Sequence, residues 1–277
     1  MSSVHVFETP GDVALQVRLQ SGRVVLTTAD DPRTTVEIVG RRGQDAVDEI
    51  DVTMDERRGE HVIRIEQKDR FRWGPIQITW GGDFECRITC PHGSNLDLSG
   101  GSTDVKVDGE LGEASVRTAS GDVHLDTVRA ELQVKTASGD VWVEGAEADT
   151  SVATVSGDVE LGRVSGSLTG RTISGSFKLG AVAMALEVST TSGDIEVGSV
   201  GSGDVRVQSV SGDVRIGIGR GMRVWVDATS VSGKLESELG LEDQQSGGDD
   251  EGEVVPLHVK TISGDVSIVR AAAVAPA

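Results

Sequence analysis

The sequence has little aromatic character and no tyrosine. Phe and Trp number four each, so aromatics make up 3% of 277 residues. A large globular core usually fills space with bulky rings, so another packing scheme is needed. Only six prolines accompany 36 glycines. That excludes collagen, which needs Gly at every third position and abundant Pro. Basic residues are also scarce: 26 Lys and Arg face 45 Asp and Glu, for a net charge of −19. Phosphate binding needs a basic surface, so nucleic acid is not an expected partner. Electrostatic docking on anionic lipid is disfavoured for the same reason. Part of this excess is local, since residues 236–253 carry eight acids and no Lys or Arg.

No run approaches 18 apolar residues, and the start, MSSVHVFETPGDV, has neither a basic n-region nor an apolar h-region. The expectation is a cytoplasmic protein without membrane insertion, membrane-adjacent only through a partner. Cys86 and Cys90 are the only cysteines. The alternation in FECRITC reads as a strand, which puts them on one face with Cα atoms roughly 13 Å apart, too far for a disulfide. With His92 nearby a metal site is conceivable. Two buried thiols acting as small hydrophobes are the better reading.

What the sequence has in excess is order. Ser-Gly pairs begin at Ser120, Ser138, Ser156, Ser174 and Ser192, each 18 residues after the last. Ser211, Ser232 and Ser263 follow at wider spacings. The next residue is Asp122, Asp140, Asp158, Asp194, Asp213 or Asp265, with Ser176 and Lys234 in the other copies. The period halves into nine-residue units from Ala114 to Ile195. Positions one, three and six of these ten units are apolar at all but Thr150, Gly170 and Thr191 of 30 sites. Random placement would give about 11 apolar sites. Position two is polar except at Trp142. In-out-in alternation closed by a Gly-containing turn describes a short strand.

Repeated strand-turn units predict an all-β fold: a single-stranded parallel β-solenoid, β-helix or β-roll-like, with about 18 residues per coil and two strands per coil. An antiparallel meander is the alternative. Residues 1–95 lack the register but alternate as strands, which predicts a β-rich N-terminal cap or irregular first coils. Residues 96–270 form the repeat region. Residues 240–253 read as an acidic mobile insertion, and residues 271–277 as a disordered tail.

The copies TASGDVHL, TASGDVWV, TVSGDVEL, TTSGDIEV and SVSGDVRI resemble the bacterial "putative adhesin" β-strand-repeat family, a domain of unknown function. The resemblance covers roughly residues 10–270. It implies a β-solenoid fold and, loosely, envelope or surface interaction.

Three chemistries compete for the repeat. Turn chemistry accounts for Gly, Asp and Ser directly, with Thr118, Thr136, Thr154, Thr172, Thr190 and Ser209 as a polar ladder. A calcium ladder through Asp122, Asp140, Asp158, Asp194 and Asp213 is the sharper alternative, because stacked carboxylates repel unless bridged, protonated or solvated. Calcium needs six to eight oxygens, and most units have one Gly and an Asp only every 18 residues. A hydrolase on a solenoid face is the third. The five His are scattered, and no P-loop, GxGxxG, GxSxG or HExxH occurs. The expectation is a non-catalytic interaction or scaffold module without a cofactor. It would bind an unidentified protein or polymer partner, with oligomerisation through the solenoid ends. Trp142, Trp225 and Trp73 are the candidate partner contacts.

Overall fold

The computed structural model describes residues 2–40, 49–57, 59–68, 84–219, 221–239 and 254–271. Trp73 and its aromatic neighbours, the acidic segment 240–253 and the tail 272–277 lie outside them. The described residues are β throughout, with 23 strands and no helix. They fall into two compact units, Met1–Asp140 and Val141–Ala277.

In the first unit the parallel stack is built on two long strands, β2 (Val13–Ala29) and β7 (Asn95–Leu111). Each supplies both sides of a coil by bending once, near Gly22 in β2 and near Gly100 and Gly101 in β7. β2 lies in parallel register on β7 from Ala14↔Asn95 to Thr27↔Asp108. The first half of β7 continues onto β8 (Ala114–Thr118) and then β10 (Leu132–Thr136), and its second half onto β9 (Val123–Val128). On the other side of β2, its first half pairs in parallel with β5 (Glu60–Gln67) and its second half with β6 (Phe84–Pro91). Antiparallel strands finish these edges. β4 (Ile50–Arg57) pairs with β5, while β3 (Arg33–Gly40) pairs with β6 and with β1 (Ser2–Glu8). Residues 13–29 therefore stack on 95–111 as a coil despite lacking the 18-residue spacing.

Cys86 and Cys90 are free and fully buried on the inner face of β6. Desolvation pushes the Cys86 thiol up to about 12. It pushes Cys90 up to about 11, against a hydrogen bond from Ser94 that lowers it.

The second unit is a stack of flattened coils with two parallel sheets. One runs β11 (Val141–Ala146), β13 (Val159–Val164), β15 (Phe177–Val182), β17 (Ile195–Val200), β19 (Val214–Ile218), β23 (Val266–Arg270), β21 (Leu235–Ser237). The other runs β12 (Thr150–Ala153), β14 (Leu168–Arg171), β16 (Leu186–Ser192), β18 (Val205–Ser211), β22 (Val254–Ser263), β20 (Arg223–Ser232). Coil order and chain order part at the end. The coil of residues 254–271 is inserted between that of 205–218 and that of 223–237, which is the terminal one.

Both units show why these residues make coils. Small and medium apolar side chains alternate inward, as in Val159, Leu161 and Val164, each at most 2% exposed. Two sheets in a thin coil leave room for Val and Leu, and each such burial contributes about 1.5–3 kcal/mol. Glycine is demanded by the stacking. A β-carbon at Gly139 would collide with the carbonyl of Gly121. One at Gly175 would collide with that of Gly157, and one at Gly212 with that of Gly193. Coils stacked about 4.8 Å apart leave no space for a side chain there.

The apolar sixth residues fall into two sets. The sixth residue points inward only in alternate units, where Val128, Val164, Val182 and Val200 are buried. There the ladder can slip, as it does between Val197 and Val200 and between Val107 and Glu110, leaving two successive residues outside. In the other units alternation continues unbroken. The fifth residue, Thr118, Thr136, Thr154, Thr172, Thr190 or Ser209, is buried, and the sixth is turned to solvent.

Candidate interaction surface

The T-x-S-G-D motif forms the corner between the two strands of a coil, and each of its residues has a separate task. The Thr closes the core. In the first unit Thr136 Oγ1 accepts from the Gly139 N–H at 3.0 Å, and in the second Thr154 Oγ1 accepts from Gly157 at 3.1 Å. The hydroxyls of Thr172, Thr190, Ser209 and Thr261 are buried without a partner. The Thr and Ser ladder is thus lined up along the interior of the stack.

The Asp links coils. Its Oδ1 accepts the backbone N–H of the matching residue one coil further on. In the first unit Asp122 accepts from Asp140 at 3.1 Å. In the second, Asp158 accepts from Ser176 at 2.8 Å and Asp194 from Asp213 at 2.9 Å. Asp213 accepts from Asp265, and Asp265 from Lys234, both at 2.8 Å. One oxygen of each of these carboxylates is thereby committed to the stack. Among the described residues, no group of three or more His, Cys, Asp or Glu is placed to hold a metal ion.

The variable x residue faces solvent. In the second unit Val155, Ile173, Val210 and Ile262 are 44, 50, 44 and 53% exposed. They occupy one position on four coils, with Thr191 between Ile173 and Val210, and exposed Ser156, Ser174, Ser192, Ser211 and Ser263 beside them. The outer faces differ in character. Glu160, Lys178, Glu196 and Arg215 stand opposite one another on β13, β15, β17 and β19, alternating in sign. Opposite charges on neighbouring strands favour that register and keep the face hydrated.

Trp142 is outward and half-buried on β11, in register with Glu160. Trp225 is outward on β20, 55% exposed, with its ring edge-on to His258 at 5.4 Å. His258 Nδ1 also lies 3.4 Å from Asp227. The two tryptophans sit on different sheets. Trp73 lies outside the described residues. The exposed apolar row was missed because nearly all sixth positions share the same apolar character in the sequence. The signal that separates them is the constancy of the fifth residue, a Thr or Ser throughout one set of units, whereas Thr127, Gly145, Arg163, Ala181 and Ser199 stand there in the other.

In the first unit a solvent-open hollow of about 390 Å³ is lined by Gln16, Glu60, Asp97, Glu113, Ser115 and Arg117 among others. Its Asp97 is held by Arg18 at 2.6 Å and faces Arg117 at 3.6 Å. These charges are spent on one another.

A stack of two-stranded parallel coils with a repeated Thr-x-Ser-Gly-Asp corner defines a β-solenoid module. The Toastrack DUF4097 family model matches residues 13–269, and the chain belongs to that family. No curated protein matches it. Solved structures similar to it include a "putative adhesin" from Bacteroides fragilis NCTC 9343, at 11% identity and TM-score 0.46, over 96% of this chain and 97% of that one. Another, from Parabacteroides distasonis ATCC 8503, has 13% identity and TM-score 0.43, over 97% and 96%. A "putative cell adhesion protein" from Clostridium sporogenes ATCC 15579 has 9% identity and TM-score 0.30, over 98% and 99%.

Proposed function

We propose that the protein is a non-catalytic scaffold that binds a protein partner along the Ser-Gly-Asp corner of residues 141–277. The exposed row Val155, Ile173, Val210 and Ile262 carries this reading. Contiguous exposed apolar side chains rimmed by polar groups mark interaction sites. Here the rim is supplied by the serines and the coil-linking aspartates. The repeat along the row, about 4.8 Å per coil, suits an extended segment lying across the coils. Covering the exposed half of two or three of these side chains contributes roughly 1.5–4.5 kcal/mol in all, since full burial of each is worth about 1.5–3 kcal/mol.

The test is affinity purification from the native cell extract with the full chain and with its Ile173→Ser, Val210→Ser variant. Both positions are exposed, so the variant keeps its fold. A partner retained by the wild type and lost from the variant supports the reading. Identical partner sets would remove the row from consideration.

A further inference from the structure

We infer that the protein forms a two-fold dimer by antiparallel pairing of β20 with β20 of a second copy, end to end. The terminal coil of the second unit is an unfinished one. Among the described residues β20 pairs with β22 alone and β21 with β23 alone. Their other edges carry a row of backbone N–H and C=O groups facing outward, a template for a further strand. The core is open there too. Val226 and Leu235 occupy inward positions on their strands, yet they are 37 and 52% exposed. The equivalent residues one coil below, Leu257 and Val266, are at most 1% exposed.

The side chains of β20 specify which strand fits. Inward Val224, Val226, Ala228 and Ser230 alternate with outward Trp225, Asp227, Thr229 and Val231, as their register with β22 shows. An antiparallel partner must keep inward residues opposite inward ones, which leaves few registers for β20 against itself. Centred on Asp227, the pairing opposes two aspartates. Centred on Val226, it sets Trp225 against Asp227. Centred on Ala228, it places Trp225 opposite Val231, Val226 opposite Ser230 and Asp227 opposite Thr229. Trp225 and Val231 are 55 and 77% exposed in the single chain, and this register covers each with the other, twice per dimer. A two-fold axis uses the same patch on both copies, so pairing through β20 closes at two.

The experiment is sedimentation of the full chain from low to high micromolar concentration, with two variants. The wild type is expected to show a reversible monomer–dimer equilibrium. Val231→Lys changes an exposed side chain, so its circular dichroism is unchanged, but its dimer dissociation constant rises by about tenfold or more. Trp225→Cys with Val231→Cys, under mild oxidation, gives a covalent dimer. The two positions lie about 20 Å apart within one strand, so they cannot cross-link within a chain. A wild type that stays monomeric overturns the inference. So does a dimer indifferent to Val231→Lys, or one whose paired cysteines do not join the copies. Val231 continues the row of Val155, Ile173, Val210 and Ile262 onto the terminal coil, so the partner reading is tested separately at Ile173 and Val210, which lie outside β20.

Discussion

A β-carbon at Gly170 would lie 2.5 Å from Cε2 of Phe177, across the core of the same coil. Gly170 stands in register between Val152 and Val188, and Phe177 between Val159 and Ile195. One side of this coil gives up its side chain so that the other can carry the largest fully buried one. Gly22 in the first unit differs: its φ is +122°, and an added β-carbon would lie 2.8 Å from the Phe84 carbonyl oxygen and 3.1 Å from the Phe84 ring.

The exchange of volume between Gly170 and Phe177 predicts coupling. Gly170→Val alone overpacks the coil and costs about 1–3 kcal/mol. Phe177→Val alone leaves a cavity and costs about 2–4 kcal/mol, below the 3–5 of truncation to Ala. The double variant restores the Val seen in neighbouring coils, and its loss is smaller than the sum by about 1–3 kcal/mol. Urea denaturation of the four proteins measures this. Additive losses would show that the two side chains do not share the space.

The carboxylate ladder predicts a difference between Asn and Ala. Asp213 accepts the Asp265 N–H through Oδ1. Asp213→Asn keeps an acceptor and should stay within about 0.5 kcal/mol of wild type, whereas Asp213→Ala should cost about 0.5–1.5 kcal/mol. Because the linking oxygen is already committed to an amide, the wild-type melting temperature should be the same in calcium and in chelator. A rise with calcium would restore the metal ladder.

The buried thiols predict alkaline sensitivity. Their folded pKa values are raised by burial, to about 12 for Cys86 and about 11 for Cys90, from 9.0. Below pH 9 both states hold the protons, and their contribution to stability is fully present. Above it the unfolded chain releases protons that the fold retains. Stability then falls by about 1.4 kcal/mol per pH unit for each thiol, until the folded groups titrate in turn. Unfolding free energies at pH 8, 9, 10 and 11 should show a steeper decline for wild type than for Cys86→Ala, Cys90→Ala. Equal slopes would mean that the thiols are not buried.

Coil order predicts which cysteines can meet. Ser263 is in register with Ser211 on one side and Ser232 on the other. Ser232→Cys with Ser263→Cys should therefore oxidise to an intrachain disulfide, and Ser211→Cys with Ser232→Cys should not. Mass spectrometry after oxidation distinguishes them, and the reverse result would restore stacking in chain order.

The repeat was legible because every coil solves the same problem with the same residues. Glycine at each corner, Val or Leu at positions one and three, and an Asp to reach the next coil are local and recur at a fixed interval. The alternation of the sixth position was written less plainly, in a position five kept as Thr or Ser in one set of units and varied in the other, from Thr127 to Gly145, Arg163 and Ala181. Residues 13–29 show only a partial copy, SGRVVL, without the Asp, because a continuous bent strand replaces the corner there. The order of the last coils was not legible at all. The corners at Ser211, Ser232 and Ser263 offer nearly the same edge, so nothing in their residues says which neighbour each one takes. The candidate surface suffered from the same equivalence, since Val155 and Val164 are both sixth-position valines, one outside and one inside.

The inserted coil sets the timetable of synthesis against the timetable of assembly. A ribosome releases residues 223–237 before 254–271, and domains generally fold from the N-terminal side as they emerge. The earlier segment meets the bare edge of coil 205–218 first, the place its successor will finally hold. Either it waits unstacked or it docks there and is later displaced. In both cases the finished stack is reached only once residues 254–271 have left the ribosome. Stalled or truncated nascent chains should therefore carry a differently ordered end from the released protein.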